Sequence, residues 1–301
     1  MAFTSFKLHC LLASAFIISM PSQASALNTT EKLKLNSHNL KQLSIEAGAG
    51  ELTITGHNNT DQIQVSAAVY SENGHQPLLS LVQQGDQQAK LVAKFEDSFW
   101  QLGSNEQYIH LNITLPSNIE LDIHDGSGDI KLQQLHGKIN IKDGSGNIDG
   151  NQLGQVSIHD GSGDITLHHA GNINITDGSG DIMLTKVAKV SLDDGSGKIN
   201  LSESQQSISI NDGSGAIMIK DHQGGIDIND GSGDINISHT TGNIDINDGS
   251  GDININQVMG IASINDGSGD INIKNTKGVN IQADGSGETN IDNIDGAVTI
   301  N

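Results

Sequence analysis

The sequence predicts an all-β protein: a parallel β-helix or β-solenoid of about ten coils of 17–18 residues, capped at its N-terminal end by a β-rich segment. Three observations predict it. The tetrapeptide Asp-Gly-Ser-Gly begins at Asp125, Asp143, Asp160, Asp177, Asp194, Asp212, Asp230, Asp248, Asp266 and Asp284, always 17 or 18 residues apart. Between copies, apolar and polar residues alternate with the period of a strand rather than a helix. Phe95, Phe99, Trp100, Tyr70 and Tyr108 all precede the repeats, so the repeated part has no aromatic core.

Residues 1–26 read as a secretory signal. Lys7 gives a positive start, residues 11–20 a short apolar run, and Ala24-Ser25-Ala26 a small-residue cleavage pattern. A run this short does not span a bilayer. The only cysteine, Cys10, follows His9 where a lipoprotein signal needs a small residue, which argues against lipidation. The mature chain then has no thiol for a disulfide or a metal site. No later apolar stretch reaches the length of a membrane span.

Residues 27–124 form the expected cap. Strands are predicted at 62–69, 79–82, 89–95 and 108–115, with Asn73-Gly74 and Gln84-Gly85 as turns. Ala47-Gly48-Ala49-Gly50-Glu51-Leu52 reads as a degenerate copy of the repeat, so a first coil starts here and is interrupted by a hairpin excursion. A cap covers the first open edge of a solenoid.

Residues 125–301 are the solenoid. The unit 230–247, DGSGDINISHTTGNIDIN, holds two strands whose Ile235, Ile237, Ile244 and Ile246 share the inner side, while Asn236 and Asp245 face out. Four aliphatic side chains do not offset the ordering of eighteen residues, so one unit cannot fold alone. Stacked units pair equivalent strands in parallel and join their isoleucines into columns. At about 4.8 Å per strand, ten coils make a rod roughly 48 Å long. A left-handed hexapeptide helix has the same coil length, but its apolar marks recur every six residues. Here they fall at unit positions 6, 8, 15 and 17, with a partial fifth at 11, which fits two main sheets and a short third side.

Composition narrows the function. With 36 acidic side chains, 15 lysines and no arginine, the net charge is −21. That excludes a nucleic-acid binder, which needs a positive field to release counterions, and any bidentate guanidinium clamp. Cations or neutral groups are the expected small partners.

The segment LPSNIELDIHDGSGDIKL, residues 115–132, with the regular GSG-D-aliphatic units after it and the AGAGELTI segment, resembles a large bacterial family of exported repeated-β-strand proteins that carry an adhesin label and an unassigned function. The resemblance implies an exported or envelope-exposed β-helix. It transfers no catalytic or binding residue.

The DGSG turn has a structural explanation. Each Asp accepts a backbone hydrogen bond from two residues on, and the glycines permit positive φ and close stacking. Asp125 with Gly126 and Gly128, and Asp143, Asp160, Asp177, Asp194, Asp212 and Asp284, are therefore expected as structural turn residues. The rival reading is a calcium ladder along Asp230, Asp248 and Asp266 with Asp234, Asp252 and Asp270, since alternating oxygen-bearing residues resemble half of a calcium loop. Lys198 and Ala216 interrupt that fifth position. No other metal and no cofactor is expected. Histidines His136, His168, His169, His222 and His239 read as solvated turn residues, because their unit positions wander. Asn236, Asn254, Asn272 and Asn290 read as an outward amide ladder.

No phosphate loop or nucleophile elbow occurs, and paired carboxylates are too frequent for any pair to be informative. The sequence therefore reads as a non-enzymatic, exported β-solenoid, an adhesin or envelope scaffold presenting a repetitive acidic and polar surface. It would be periplasmic, cell-surface or extracellular, and its partner a cell-surface or envelope polymer or protein. The alternatives are a calcium-stabilised rod and a glycan-binding or glycan-processing β-helix, the latter needing a cleft where Trp100 and Tyr108 meet the first coils. Self-association through an uncapped C-terminal strand edge is a further expectation.

Overall fold

The computed structural model describes residues 26–96 and 106–301; residues 1–25, with most of the expected signal, and residues 97–105, with Phe99 and Trp100, lie outside them. The described residues form twenty-six strands and no helix. No helix long and apolar enough to cross a membrane occurs among them.

The N-terminal part contains β1 (Leu27–Asn36), β2 (Gln42–Ala47), β3 (Leu52–His57), β4 (Gln62–Ser71), β5 (Leu78–Gln84), β6 (Gln88–Lys94) and β7 (Gln107–Pro116). The four predicted strands are present, and Gly74 and Gly85 take the positive φ (68° and 71°) that their turns require. The exposed strand β1 escaped prediction because its LNTTEKLKLN sequence alternates only weakly. It pairs antiparallel with β4, and β4 with β7, while β5 pairs antiparallel with β6.

Repeats begin with β8 (Glu120–His124), β9 (Ile130–Leu135) and β10 (Ile139–Asp143). The degenerate copy is a true coil: β2 pairs parallel with β8 and β3 with β9, with a bridge from Ala49 to Ser127 across the turns. On its other side, β2 pairs with β6 and β3 with β7. The strands of the excursion thus lie over the first coil and continue its parallel ladders before turning antiparallel.

From β8 onward every strand pairs in parallel with its equivalent one coil away, as in Ile226–Asp230 with Ile244–Asp248. The aliphatics at unit positions 6, 8, 15 and 17 are buried, for instance Ile235, Ile237, Ile244 and Ile246 at 0–1% exposure. Position 11 is buried too, forming the short third side: Leu135, Leu153, Ala170, Val187, Ser204, His222, Thr240, Val258 and Thr276. The residue before it turns the chain in the left-handed region, with φ between 52° and 58° at ten non-glycine residues from Gln134 to Asn293. The fourth residue of each DGSG also has positive φ, 128° at Gly128 and 144° at Gly233. A Cβ there would overlap the backbone of the equivalent glycine one coil back, so the stack requires glycine on both counts. In the last described coil, Val298 and Ile300 are exposed.

Candidate functional site: the carboxylate column and the outer faces

The first Asp of each repeat closes the second strand of the preceding coil. In β10 the side chains alternate: Ile139 in, Asn140 out, Ile141 in, Lys142 out and Asp143 in. The carboxylates are therefore part of the interior. Asp125, Asp143, Asp160, Asp177, Asp194, Asp212, Asp230, Asp248 and Asp266 are 3–8% exposed and stack in one column, one strand spacing apart. Asp284, in the last coil, is half-buried.

The expected turn bond forms at seven of the ten repeats and is absent at Asp125, Asp143 and Asp284, where no Ser N–H reaches the carboxylate. Ser162 N donates to Asp160 Oδ1 (3.3 Å), Ser196 N to Asp194 Oδ1 (3.2 Å) and Ser232 N to Asp230 Oδ1 (3.1 Å), and Asp177, Asp212, Asp248 and Asp266 accept alike. The second oxygen of each of these carboxylates is buried with no hydrogen-bond partner, as are both oxygens of Asp125 and Asp143. Burial, reinforced by the neighbouring carboxylates, pushes Asp125 and Asp230 up to about 7 and Asp143, Asp177 and Asp194 up to about 6. Asp248 is also pushed to about 6, and Asp160, Asp212 and Asp266 are raised by burial.

The fifth repeat position does different work. Asp234 is exposed, and its Oδ1 accepts the backbone N–H of Asp252 (3.1 Å). Asp252 does the same for Asp270 (3.0 Å), and Asp270 for Glu288 (2.9 Å). Asp129, Asn147, Asp164 and Asp181 form the equivalent run up to Lys198. The two acid columns proposed as joint calcium ligands thus diverge: Asp230, Asp248 and Asp266 turn inward, while Asp234, Asp252 and Asp270 turn to the surface and cross-link coils. Among the described residues no three His, Cys, Asp or Glu side chains converge as a metal site.

His222 corrects the solvated reading. It is 1% exposed, with Nδ1 2.7 Å from Ser204 Oγ and Nε2 accepting from Gly224 N at 3.0 Å. Burial holds its pKa below the ordinary value. Position 11 of the unit faces inward, and that was the available signal. His136, His169 and His239 are exposed and His168 is half-buried. Tyr108 stacks on Tyr70 at 5.1 Å across the antiparallel pair in the cap.

Outside, two amide arrays differ. Asn211, Asn229, Asn247 and Asn265 form a continuous chain in which each Nδ2 donates to the Oδ1 before it, at 2.6–2.7 Å, ending on Asp193 at 2.8 Å. The predicted ladder at Asn236, Asn254, Asn272 and Asn290 is looser, with bonds of 3.3 Å and 3.2 Å joining only the last three.

With coil, turn and column described, the comparison with known families is decisive: the Toastrack DUF4097 family matches residues 150–300, half of the chain. The chain belongs to that family. This Toastrack chain has no match among curated proteins. Among solved structures it is similar to a "putative cell adhesion protein" from Clostridium sporogenes, at 17% identity and a TM-score of 0.41 over 64% of this chain and 99% of that one. It is also similar to a "putative adhesin" from Parabacteroides distasonis, at 13% identity and a TM-score of 0.35 over 90% and 97% of the two chains.

Proposed function

We propose that this chain is an exported, non-enzymatic β-solenoid, an adhesin-type module or envelope scaffold that presents a repetitive acidic and polar surface to a cell-surface or envelope polymer or protein. Residues 1–26 would be the export signal, 27–124 the cap and 125–301 the presenting rod. The observation that carries the reading is the repetition of equivalent outward side chains at one strand spacing along ten nearly identical coils with short turns. A single such contact is weak, and a rod gains avidity when its target has a matching repeat.

The test is localisation of the tagged full chain, followed by sedimentation with isolated cell envelopes. Envelope association that weakens progressively as whole coils, such as 230–247, are deleted supports the reading. A cytoplasmic location, or envelope binding unchanged by loss of half the coils, overturns it.

A further inference from the structure

The outer face of the first sheet differs from the rest of this acidic chain. From Thr166 to Asn290, the outward residues at unit positions 7 and 9 include Met, Thr, Asn, Ser, His and Lys, and no carboxylate. Within this stretch Met218 pairs in register with Asn236, Asn236 with Asn254, and Asn254 with Asn272. Lys220, Ser238, Asn256 and Lys274 run alongside in the same four rungs. Met218 and Lys220 at one end, Lys274 at the other and shorter side chains between them make a trough of about 520 Å³. Its walls stand three strand spacings apart, about 14 Å.

The floor has unspent hydrogen-bonding capacity. Asn236 makes no side-chain hydrogen bond among the described residues. Asn254 and Asn256 use only Oδ1, accepting from Asn272 (3.3 Å) and Asn275 (2.8 Å), so their Nδ2 groups remain free to donate. Met218, 52% exposed, adds an apolar wall. A side-chain amide both donates and accepts, as a hydroxyl does. No carboxylate lines the trough: Asp234, Asp252 and Asp270 lie one outward position before its floor with Oδ1 held by backbone N–H groups of the next coil. Lys220 and Lys274 in its lining disfavour a cation, while the chain's net charge of −21 repels a polyanion. Both strands under the floor are already paired on each side, so an extended peptide finds no free edge to join.

We propose that this trough binds a short uncharged, hydroxyl-rich segment of a polysaccharide, with Asn236, Asn254 and Asn256 bonding its hydroxyls and Met218 packing on its C–H face. The proposal rests on the surface-presenting reading above and names its ligand class. No aromatic ring is present in residues 125–301 to stack on a sugar, so the site lacks the large contact area an aromatic face would add and binds weakly.

The test is a titration of the full-length chain followed by side-chain amide NMR. The probes are cellotriose, maltotriose and triacetylchitotriose as neutral trimers, with trigalacturonate and triglucosamine as charged controls. Saturable shifts of the Asn236 and Asn254 amides with at least one neutral trimer are expected, weakened at least tenfold in Asn236→Ala/Asn254→Ala. No shift with any neutral trimer, an undiminished response in that variant, or tighter binding of a charged trimer or of hexaglutamate overturns the proposal. If the variant keeps full envelope association, the trough assignment falls and the adhesive reading stands; if wild-type chain binds the trimer but no envelope, the reverse holds.

Discussion

Replacing Asp194 by Asn should stabilise the protein above neutral pH and leave it almost unchanged in acid. Asp194 is 4% exposed, between Asp177 and Asp212 in the column, with Oδ2 unpartnered and Asp193 facing out beside it. Its pKa rises from 3.8 to about 6, first through burial and then through Asp212. A raised carboxyl pKa means that the folded state holds protons which the unfolded state has released. The favourable contribution is complete below pH 3.8 and disappears as pH climbs through about 6. A shift of that size is worth up to about 3 kcal/mol. Asn keeps the acceptor for Ser196 N and puts a donor beside the unpartnered oxygens of its neighbours, without the buried charge. At pH 8 the variant should therefore melt up to roughly 6–12 °C higher, at about 2–4 °C per kcal/mol, and at pH 4 within a degree or two of wild type. Denaturant unfolding from pH 4 to 8 measures the same difference. Asp193→Asn, exposed and equal in charge change, is the control and should move stability by no more than about 0.5 kcal/mol. A variant that is less stable at pH 8, or wild-type stability that rises from pH 5 to 8, would refute the account of the column.

Three further outcomes are expected. Gly233→Ala, at φ 144° and against the Gly215 carbonyl, should cost several kcal/mol and visibly reduce β circular dichroism, whereas Gly85→Ala, with open space around its Cβ, should cost only the strain of its φ. Asn229→Leu breaks two amide bonds of 2.7 Å and should destabilise by about 1–2 kcal/mol, while Asn236→Leu, which breaks none, should cost less than about 0.5 kcal/mol; urea titration separates them. His222 should remain neutral by NMR at pH values just below the ordinary imidazole pKa, because its burial favours the uncharged ring; a midpoint at or above that ordinary value would contradict its placement.

The period-2 alternation and the DGSG spacing made the coil legible, down to which isoleucines are buried and which residues restart the stack at Ala47. The same alternation also places the DGSG aspartate inside, two residues after an inward isoleucine, yet its acidity directs attention to the surface. What the sequence alone left hidden was how far Asp160 or Asp230 is withdrawn from water. Its turn bond to Ser was legible because it is local. The roles of Asp234 and Asn236 were not, since they depend on which side chain of the next coil lies within reach. Asn229 and Asn236 both look like ladder residues; only the stacking geometry separates a saturated chain of amides from one with free donors. Strand β1 was missed because it is held by pairing with β4 rather than by a buried face of its own.

Near-identical coils create a register problem that the irregular positions resolve. If every coil were the same, a coil could pair with its second neighbour at little energetic cost, and misassembly would compete with folding. The column and the glycine turns do not discriminate, since they recur in every coil. Discrimination must come from side chains that differ between coils. Ser204 and His222 form a buried pair at 2.7 Å that no other two coils can reproduce. Lys198 and Ala216 interrupt the fifth-position cross-links at one place, and Lys186 reaches Glu203 at 3.6 Å in that same middle region. The run of three 17-residue coils that starts at Asp143 also ends there, at Asp194. These departures in the middle of the rod give the correct register interactions that a slipped one lacks.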